Sequence, residues 1–367
     1  MNKIKSAKFD HTSYKGEHPI AKAVKAIGKE EVGKIHEDSK STAHAIINHM
    51  KDTYGSKVTG SHHVGKVGAA GAEEVKKLTG KPSNADVVIS TNHPKRGAGH
   101  ALAHLEHVGA SLKYSKASGG DIKIHAPSIT NMARIVDDHH EQMHGKSAGV
   151  GEKIKQAAAA GVAAQKKVVK AHAGELEKHF SSKEFTQNKN PKHVKKYLGK
   201  VGSASDYKAG VLNKAGVSYI NKNEKTRHIY DKMAVENLKM KKNVAGHLHA
   251  GISAVLDHKS SSPKHKAIKE SLVRSIGNVH PPEKSGSLPT FLVSTERGKE
   301  TKIHDVTAHF AKHLAENGPE KHSYTKGSSS FKVGPTNLAI DARPTTTGNP
   351  LSNPINVSVS SAALKKK

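Results

Sequence analysis

The chain has 367 residues, with 60 Lys and Arg against 32 Asp and Glu, a formal net charge of +28, and 28 histidines. Cysteine is absent, which excludes a disulfide framework and a thiolate zinc site. A field this positive attracts polyanions, so nucleic acid is the expected partner; aromatics at 4% and no tryptophan leave few stacking platforms, which favours phosphate contacts with little sequence reading.

Residues 1–55 read as an N-terminal helical segment. Ile20–Ile27 is amphipathic and stops at Gly28. Ala43, Ile46, Ile47 and Met50 stripe a second helix from Ser41 to Met50, with Ser39 or Ser41 as cap and Gly55-Ser56 as its end. Residues 56–148 read as an αβ core. A short helix over Ala69–Leu78 is closed by Gly80 and Pro82, and strands follow at Asn84–Ser90 and His107–Ser115, separated by the Gly- and His-rich stretch Pro94–His104. Asp121–His125 alternates with period two as a third strand, and Pro127-Ser128 opens a helix that Gly145 stops.

Residues 149–285 are helical and strongly basic, and read as an insertion or arm. Alanine runs at 157–160 and 163–164 favour helix, Asn190-Pro191 and Gly202-Ser203 break it, and helices resume over Glu224–Leu238, Val244–Leu256 and His265–Ile276. Residues 286–367 change class. Thr290–Ser294, Ser330–Val333, Asn337–Ile340 and Ile355–Val359 are strand-like, with a helix over Val306–Leu314, and are expected to complete the sheet begun near Asp86. The expected fold class is α/β: a central mixed β-sheet flanked by helices, with a large basic α-helical insertion.

Two of the strands carry embedded charge. Asn84-Ala85-Asp86-Val87-Val88-Ile89-Ser90 holds an acid, and His107-Val108-Gly109-Ala110-Ser111-Leu112-Lys113-Tyr114-Ser115 holds a lysine. Alternate residues of a strand share a face, so Ser111 and Lys113 point one way and Leu112 the other. An acid that holds a divalent metal, beside a lysine that stabilises phosphoryl charge, is a minimal kit for phosphodiester hydrolysis.

Over Thr79–Pro127 this pattern resembles the PD-(D/E)XK nuclease superfamily, the restriction-endonuclease-like fold, in a phage-type variant with serine in the (D/E) slot. The resemblance implies Asp86 as metal ligand, Lys113 as the cation beside the attacking water, the Leu112 carbonyl as a further ligand, and Mg²⁺ or Mn²⁺ as cofactor. Ser111 departs from the pattern, because a hydroxyl is a weaker metal ligand than a carboxylate. Glu73, Glu74 or Glu106 is then the replacement acid. The expected function is Mg-dependent hydrolysis of DNA, held as a duplex through its phosphates, by a phage-encoded endonuclease. The rival is a non-catalytic nucleic-acid-binding or virion-internal protein on the same fold. Oligomeric state stays open, a homo-oligomer included.

Other motifs compete. His140-Glu141-Gln142-Met143-His144 matches H-E-x-x-H, in which two histidines hold zinc and Glu141 acts as base, giving a zinc metallopeptidase as the third reading. The polar turn Asp137-Asp138-His139 before it, and Ser147 and Val150 in place of the extended pattern, favour a surface helix. Gly145-Lys146-Ser147 resembles the end of a P-loop without its earlier glycine. Gly97-Ala98-Gly99-His100 lacks the third glycine of a dinucleotide fingerprint. Arg343-Pro344-Thr345-Thr346-Thr347 is a basic turn suited to phosphate or to an ordinary loop. No apolar run nears the roughly 18 residues that span a bilayer, and Met1–Lys5 lacks a secretory signal's apolar stretch. No membrane partner is expected, and the location is intracellular, in a host cytoplasm or packaged in a virion.

Overall fold

The computed structural model describes residues 19–55, 57–64, 70–79, 85–92, 107–115, 122–182, 201–279, 290–296, 301–347 and 355–361. In chain order the elements are α1 (Pro19–Ile27), α2 (Lys29–Tyr54), β1 (Val58–His63), α3 (Ala70–Thr79), β2 (Val87–Thr91), β3 (His107–Ser115), β4 (Ile122–His125), α4 (Ile129–His144), α5 (Val150–Ala171) and α6 (Ala173–Phe180). They continue as α7 (Ala204–Lys208), α8 (Lys214–Lys222), α9 (Arg227–Leu256), α10 (Pro263–Ile276), β5 (Thr290–Glu296), β6 (Lys302–His304), α11 (Val306–Asn317), β7 (His322–Ser323), β8 (Ser330–Val333), β9 (Thr336–Asp341) and β10 (Asn356–Ser361). The chain is mixed α/β with two five-stranded sheets. It divides into two compact units, one formed within residues 1–122 and 279–312, the other within 123–278 and 313–363.

In the first unit the sheet order is β1-β2-β3-β5-β6. The pairs β1/β2, β2/β3 and β5/β6 are antiparallel, and β3/β5 is parallel. Strand alternation divides the side chains cleanly. Ile89, Val108, Ala110, Phe291 and Val293 face one way and bury against Met50 and Ile46 of α2. Each such large side chain taken fully out of water contributes about 1.5–3 kcal/mol. Val88 faces the other way and packs with Val64 and with Val75 of α3. Helix α2 starts earlier than the Ser41 expected from its stripe. Gly28, at φ 88°, ends α1 and leads directly into α2, whose first turns carry the Glu30–Lys34 pair. Ser39 caps nothing; its hydroxyl bonds back to the Ile35 carbonyl at 2.8 Å, inside the helix. Strand β1 was not expected, because Val58 is its only large apolar residue.

In the second unit the sheet order is β4-β10-β9-β8-β7. The expectation of a single central sheet is therefore corrected. Of the C-terminal strands, only β5 and its neighbour β6 join the sheet that holds Asp86. Strands β8, β9 and β10 build a second one, and β4, expected as the third core strand, pairs with β10. Burial alternates along β8, β9 and β10, so each presents one apolar face.

Nor is 149–285 an arm. Helices α5, α6, α7, α8 and α9 share a core of Val169, Leu176, Phe180, Tyr207, Leu212, Ile220, Ile229 and Met233, and α9 also packs on β8 and β9. The expected helices over 224–238 and 244–256 are one, because Met240 and Val244 continue its buried stripe through the lysines. A Cβ at Gly161 of α5 would lie 2.5 Å from Met240, so glycine is what lets α5 and α9 approach. The Asn190-Pro191 break lies outside the described residues.

Buried His139 on α4 bonds through Nδ1 to the Ile135 carbonyl at 2.7 Å and through Nε2 to the Ser271 hydroxyl of α10 at 3.1 Å. The carbonyl can only accept, so Nδ1 carries a proton, and burial disfavours a second one, which leaves Nε2 to accept from the Ser271 hydroxyl. Burial pushes its pKa down, against smaller upward pulls from the Ile135 carbonyl and from Asp138. Above about pH 6.5 folded and unfolded chains are both neutral at this site, and its stabilisation is complete. As pH falls below that value the unfolded chain binds the proton first, and stability is lost until the folded imidazole titrates too. Urea unfolding midpoints measured from pH 8 to pH 5 should fall, and His139→Gln should flatten part of that slope; an identical slope in the variant would contradict the assignment.

Candidate functional site at the start of β2

Asp86 immediately precedes β2. Its backbone N–H donates to the Ala110 carbonyl at 3.0 Å, and its carbonyl accepts from Val64 N–H at 3.1 Å, so both neighbouring strands fix its position. The β2/β3 register ends at Val87↔Ala110. Two residues further along β3, the Leu112 N–H has no strand partner in β2 and donates instead to Asp86 Oδ2 at 2.7 Å. The Ser111 hydroxyl donates to the same oxygen at 3.2 Å. Ser111 is buried, at 7% exposure, whereas Asp86 is exposed. Among the described residues no donor reaches Oδ1. In an antiparallel pair the N–H and C=O of one residue point to the same side of the strand. The Leu112 carbonyl therefore also points toward the β2 side, past the last rung.

Alternation puts Asp86, Val88, Ser111 and position 113 on the sheet face opposite α2. Position 113 pairs with Ser294 of β5, which in turn pairs with Lys302 of β6. The Lys113 side chain lies outside the described residues, as does Glu106. Glu73 and Glu74 are exposed on α3, whose Val75 packs over Val88 on this face, and among the described residues neither bonds to Asp86. Asp86, Ser111 and Leu112 are thus brought together, and among the described residues neither glutamate joins them.

Two polar residues of this face were missed in the sequence. Ser294 and His304 lie 3.0 Å apart, hydroxyl to Nε2. Burial, then Lys302 and His309, lower the His304 pKa, so its imidazole stays neutral beside the row that carries Lys113. No motif marks them; only the parallel β3/β5 pairing does.

In the second unit, His140 Nδ1 donates to the Lys146 carbonyl at 2.7 Å and His144 Nε2 to the Ala254 carbonyl at 3.0 Å. Their rings lie against each other, centroids 4.3 Å apart, and Glu141 is exposed. Gly145-Lys146-Ser147 is a corner between helices. The carboxylate of Asp137 takes the Val150 and Gly151 N–H groups at 2.9 and 3.0 Å, and the Ser147 hydroxyl at 3.0 Å, which are the donors a phosphate would need. The Thr345–Thr347 turn docks on α5 and on the connection before α8: Thr345 N–H donates to Gln165 Oε1 at 2.8 Å, and Thr346 Oγ1 exchanges bonds with Leu212. Gly97–His100 lies outside the described residues.

The chain matches no family model, no curated protein and no solved structure. No helix among the described residues is long and apolar enough to cross a membrane.

The shared carboxylate oxygen makes a direct claim about energetics. In a double-mutant cycle, Asp86→Ala and Ser111→Ala should couple by about 0.5–1.5 kcal/mol in urea unfolding. Additive effects would mean that the hydroxyl does not hold Asp86.

Proposed function

We propose that this protein is a metal-dependent phosphodiesterase acting on DNA, with Asp86 as the metal-binding carboxylate. The observation that carries the reading is the double anchoring of Asp86 Oδ2 by Leu112 N–H and Ser111 Oγ, which leaves Oδ1 without a donor among the described residues. The residues present fit a magnesium ion. Oδ1 and the Leu112 carbonyl are both hard oxygen donors, and Mg²⁺ is commonly held by one or two protein oxygens with waters and substrate phosphates filling the shell. When bound, the ion polarises the phosphoryl group and lowers the pKa of a water.

The chain's own residues do the rest. Ser111 and Leu112 N–H hold the carboxylate in one orientation. Lys113, two residues along the same face from Ser111, offsets the charge that develops on the phosphate. The basic surface of the same unit holds the duplex: exposed Lys51, Lys57, Lys76 and Lys77 are typical of it. The replacement of an acid by Ser111 favours a second reading, a DNA-binding protein of the same build without cleavage.

Plasmid nicking with Mg²⁺ or Mn²⁺ separates the two. Asp86→Ala and Lys113→Ala should each lower nicking by about 100-fold or more. DNA affinity and its steep decline with salt should stay nearly unchanged, since that affinity is spread over many cations. Undiminished nicking in both variants would remove the catalytic assignment, and salt-sensitive binding with no metal-dependent nicking would leave only the second reading.

A further inference from the structure

We propose that His172, Glu175 and His228 form a zinc site that clamps the α5–α6 junction to the first turn of α9. Among the described residues they are the group whose ligand atoms lie at metal-binding separations, all within 4.8 Å of one another. His172 is the single residue between α5 and α6, Glu175 lies in the first turn of α6, and His228 is the second residue of α9.

Two of the three ligand–ligand edges are already at coordination spacing, and all the ligand atoms lie within 4.8 Å of one another. His172 Nδ1 lies 3.1 Å from Glu175 Oε2, and His228 Nε2 lies 3.2 Å from the same oxygen and 3.1 Å from Oε1. Zinc bonds of about 2.0–2.1 Å in a tetrahedron require neighbouring ligand atoms about 3.3 Å apart. Two ligand–ligand edges therefore match before any ion enters. The carboxylate now bridges two imidazole nitrogens, a position in which one divalent ion replaces two N–H protons. Two imidazoles and one carboxylate suit zinc over magnesium or calcium, which prefer all-oxygen shells. Glu175 is exposed and His228 is exposed, so a water can complete the fourth position.

The clamp has a mechanical purpose at this place. His172 sits where α5 and α6 break, and the core beneath is formed by Val169 before the break, Leu176 after it, and Ile229 of α9. Fixing the break to α9 from outside holds those three in register.

One neighbouring charge opposes zinc. The Lys232 ammonium, one turn after His228, donates to His172 Nε2 at 3.0 Å. That bond keeps the proton of neutral His172 on Nδ1, the nitrogen that zinc would take. Coordination moves this proton to Nε2 and forces Lys232 away, which its exposure permits. Lys232 thus competes with the metal, which makes an opposite-signed prediction for its removal. A mere ion-pair cluster predicts no such gain.

Chelator-stripped full-length protein titrated with zinc chloride tests the site by calorimetry, with circular dichroism to confirm that each variant retains its helices. The other histidines give a weak background, so the readout is one tight equivalent above it. Wild type should show that equivalent, and His228→Ala and Glu175→Gln should each weaken it at least 30-fold. Lys232→Met should tighten it several-fold. Zinc should also raise the thermal midpoint of wild type and leave that of His228→Ala unmoved. The same tight equivalent in His228→Ala and Glu175→Gln, or none in wild type, overturns the proposal, as does weaker binding in Lys232→Met.

Discussion

Carboxylates in this chain are outnumbered almost two to one by Lys and Arg, so a bonded carboxylate has few substitutes nearby. Several are spent on helical pairs at i, i+3 or i, i+4, such as Glu30–Lys34, Arg227–Asp231 and Glu236–Lys239. Pairs of this kind contribute only about 0.3–0.5 kcal/mol each and fade with salt. A few do something structural. Asp137 satisfies the N-terminal N–H groups of α5 and fixes the corner after α4. Asp206 forms a reciprocal cap with Ser203, and hydrogen bonds from that serine hold its carboxyl below the usual range. Glu320 meets the ammonium of Lys269, a lysine only 5% exposed. Asp86 and Glu175 belong to this small set: the Asp86 carboxylate is bonded twice from β3, and that of Glu175 from the α5–α6 junction and from α9.

How far such roles can be read from sequence depends on whether the partners are local. The Asp86 arrangement was legible because β2 and β3 are consecutive and period two fixes which residues share a face. The Ser128 cap, the glycine stops at positions 28, 55 and 145, and the strands at 290–294, 330–333, 337–340 and 355–359 follow from local chemistry in the same way. What failed was assignment across distance. The period-two pattern of Ile122–His125 identifies a strand but not its neighbour, and that neighbour lies more than 200 residues away in β10. Strand β1 is held by backbone pairing to β2, and its Gly, Ser and His side chains carry no hydrophobic signature. The basic stretch at 149–285 looked poor in large apolar residues, yet its alanines and glycines let helices approach until sparse Leu, Ile and Met residues meet.

Histidine abundance had the opposite effect, offering too many patterns. His140-Glu141-x-x-His144 is a strong motif by spacing alone, but among the described residues no third ligand joins its two histidines at metal-binding separations, and their rings pack together. The His172–Glu175–His228 group has no such spacing, because a helix break and a distant helix supply it. Spacing describes one helix face; it cannot describe a junction.

Serine at position 111 follows from the same electrostatics. A buried carboxylate at the Ser111 position, about 3 Å from Asp86 Oδ2, would place two like charges in contact, which is tolerable only while a metal or proton lies between them. A hydroxyl removes that conflict and supplies a donor, so Asp86 keeps one orientation with or without an ion. The cost is a ligand: Asp86 Oδ1 and the Leu112 carbonyl alone would hold magnesium weakly. On this reading the substrate's own phosphate oxygens finish the shell, and the large positive charge supplies what the site lacks by raising the local concentration of DNA. Under the proposed function, weak intrinsic metal binding and electrostatic capture of the polyanion would be two halves of one arrangement, and serine in place of a second acid is compatible with chemistry at Asp86.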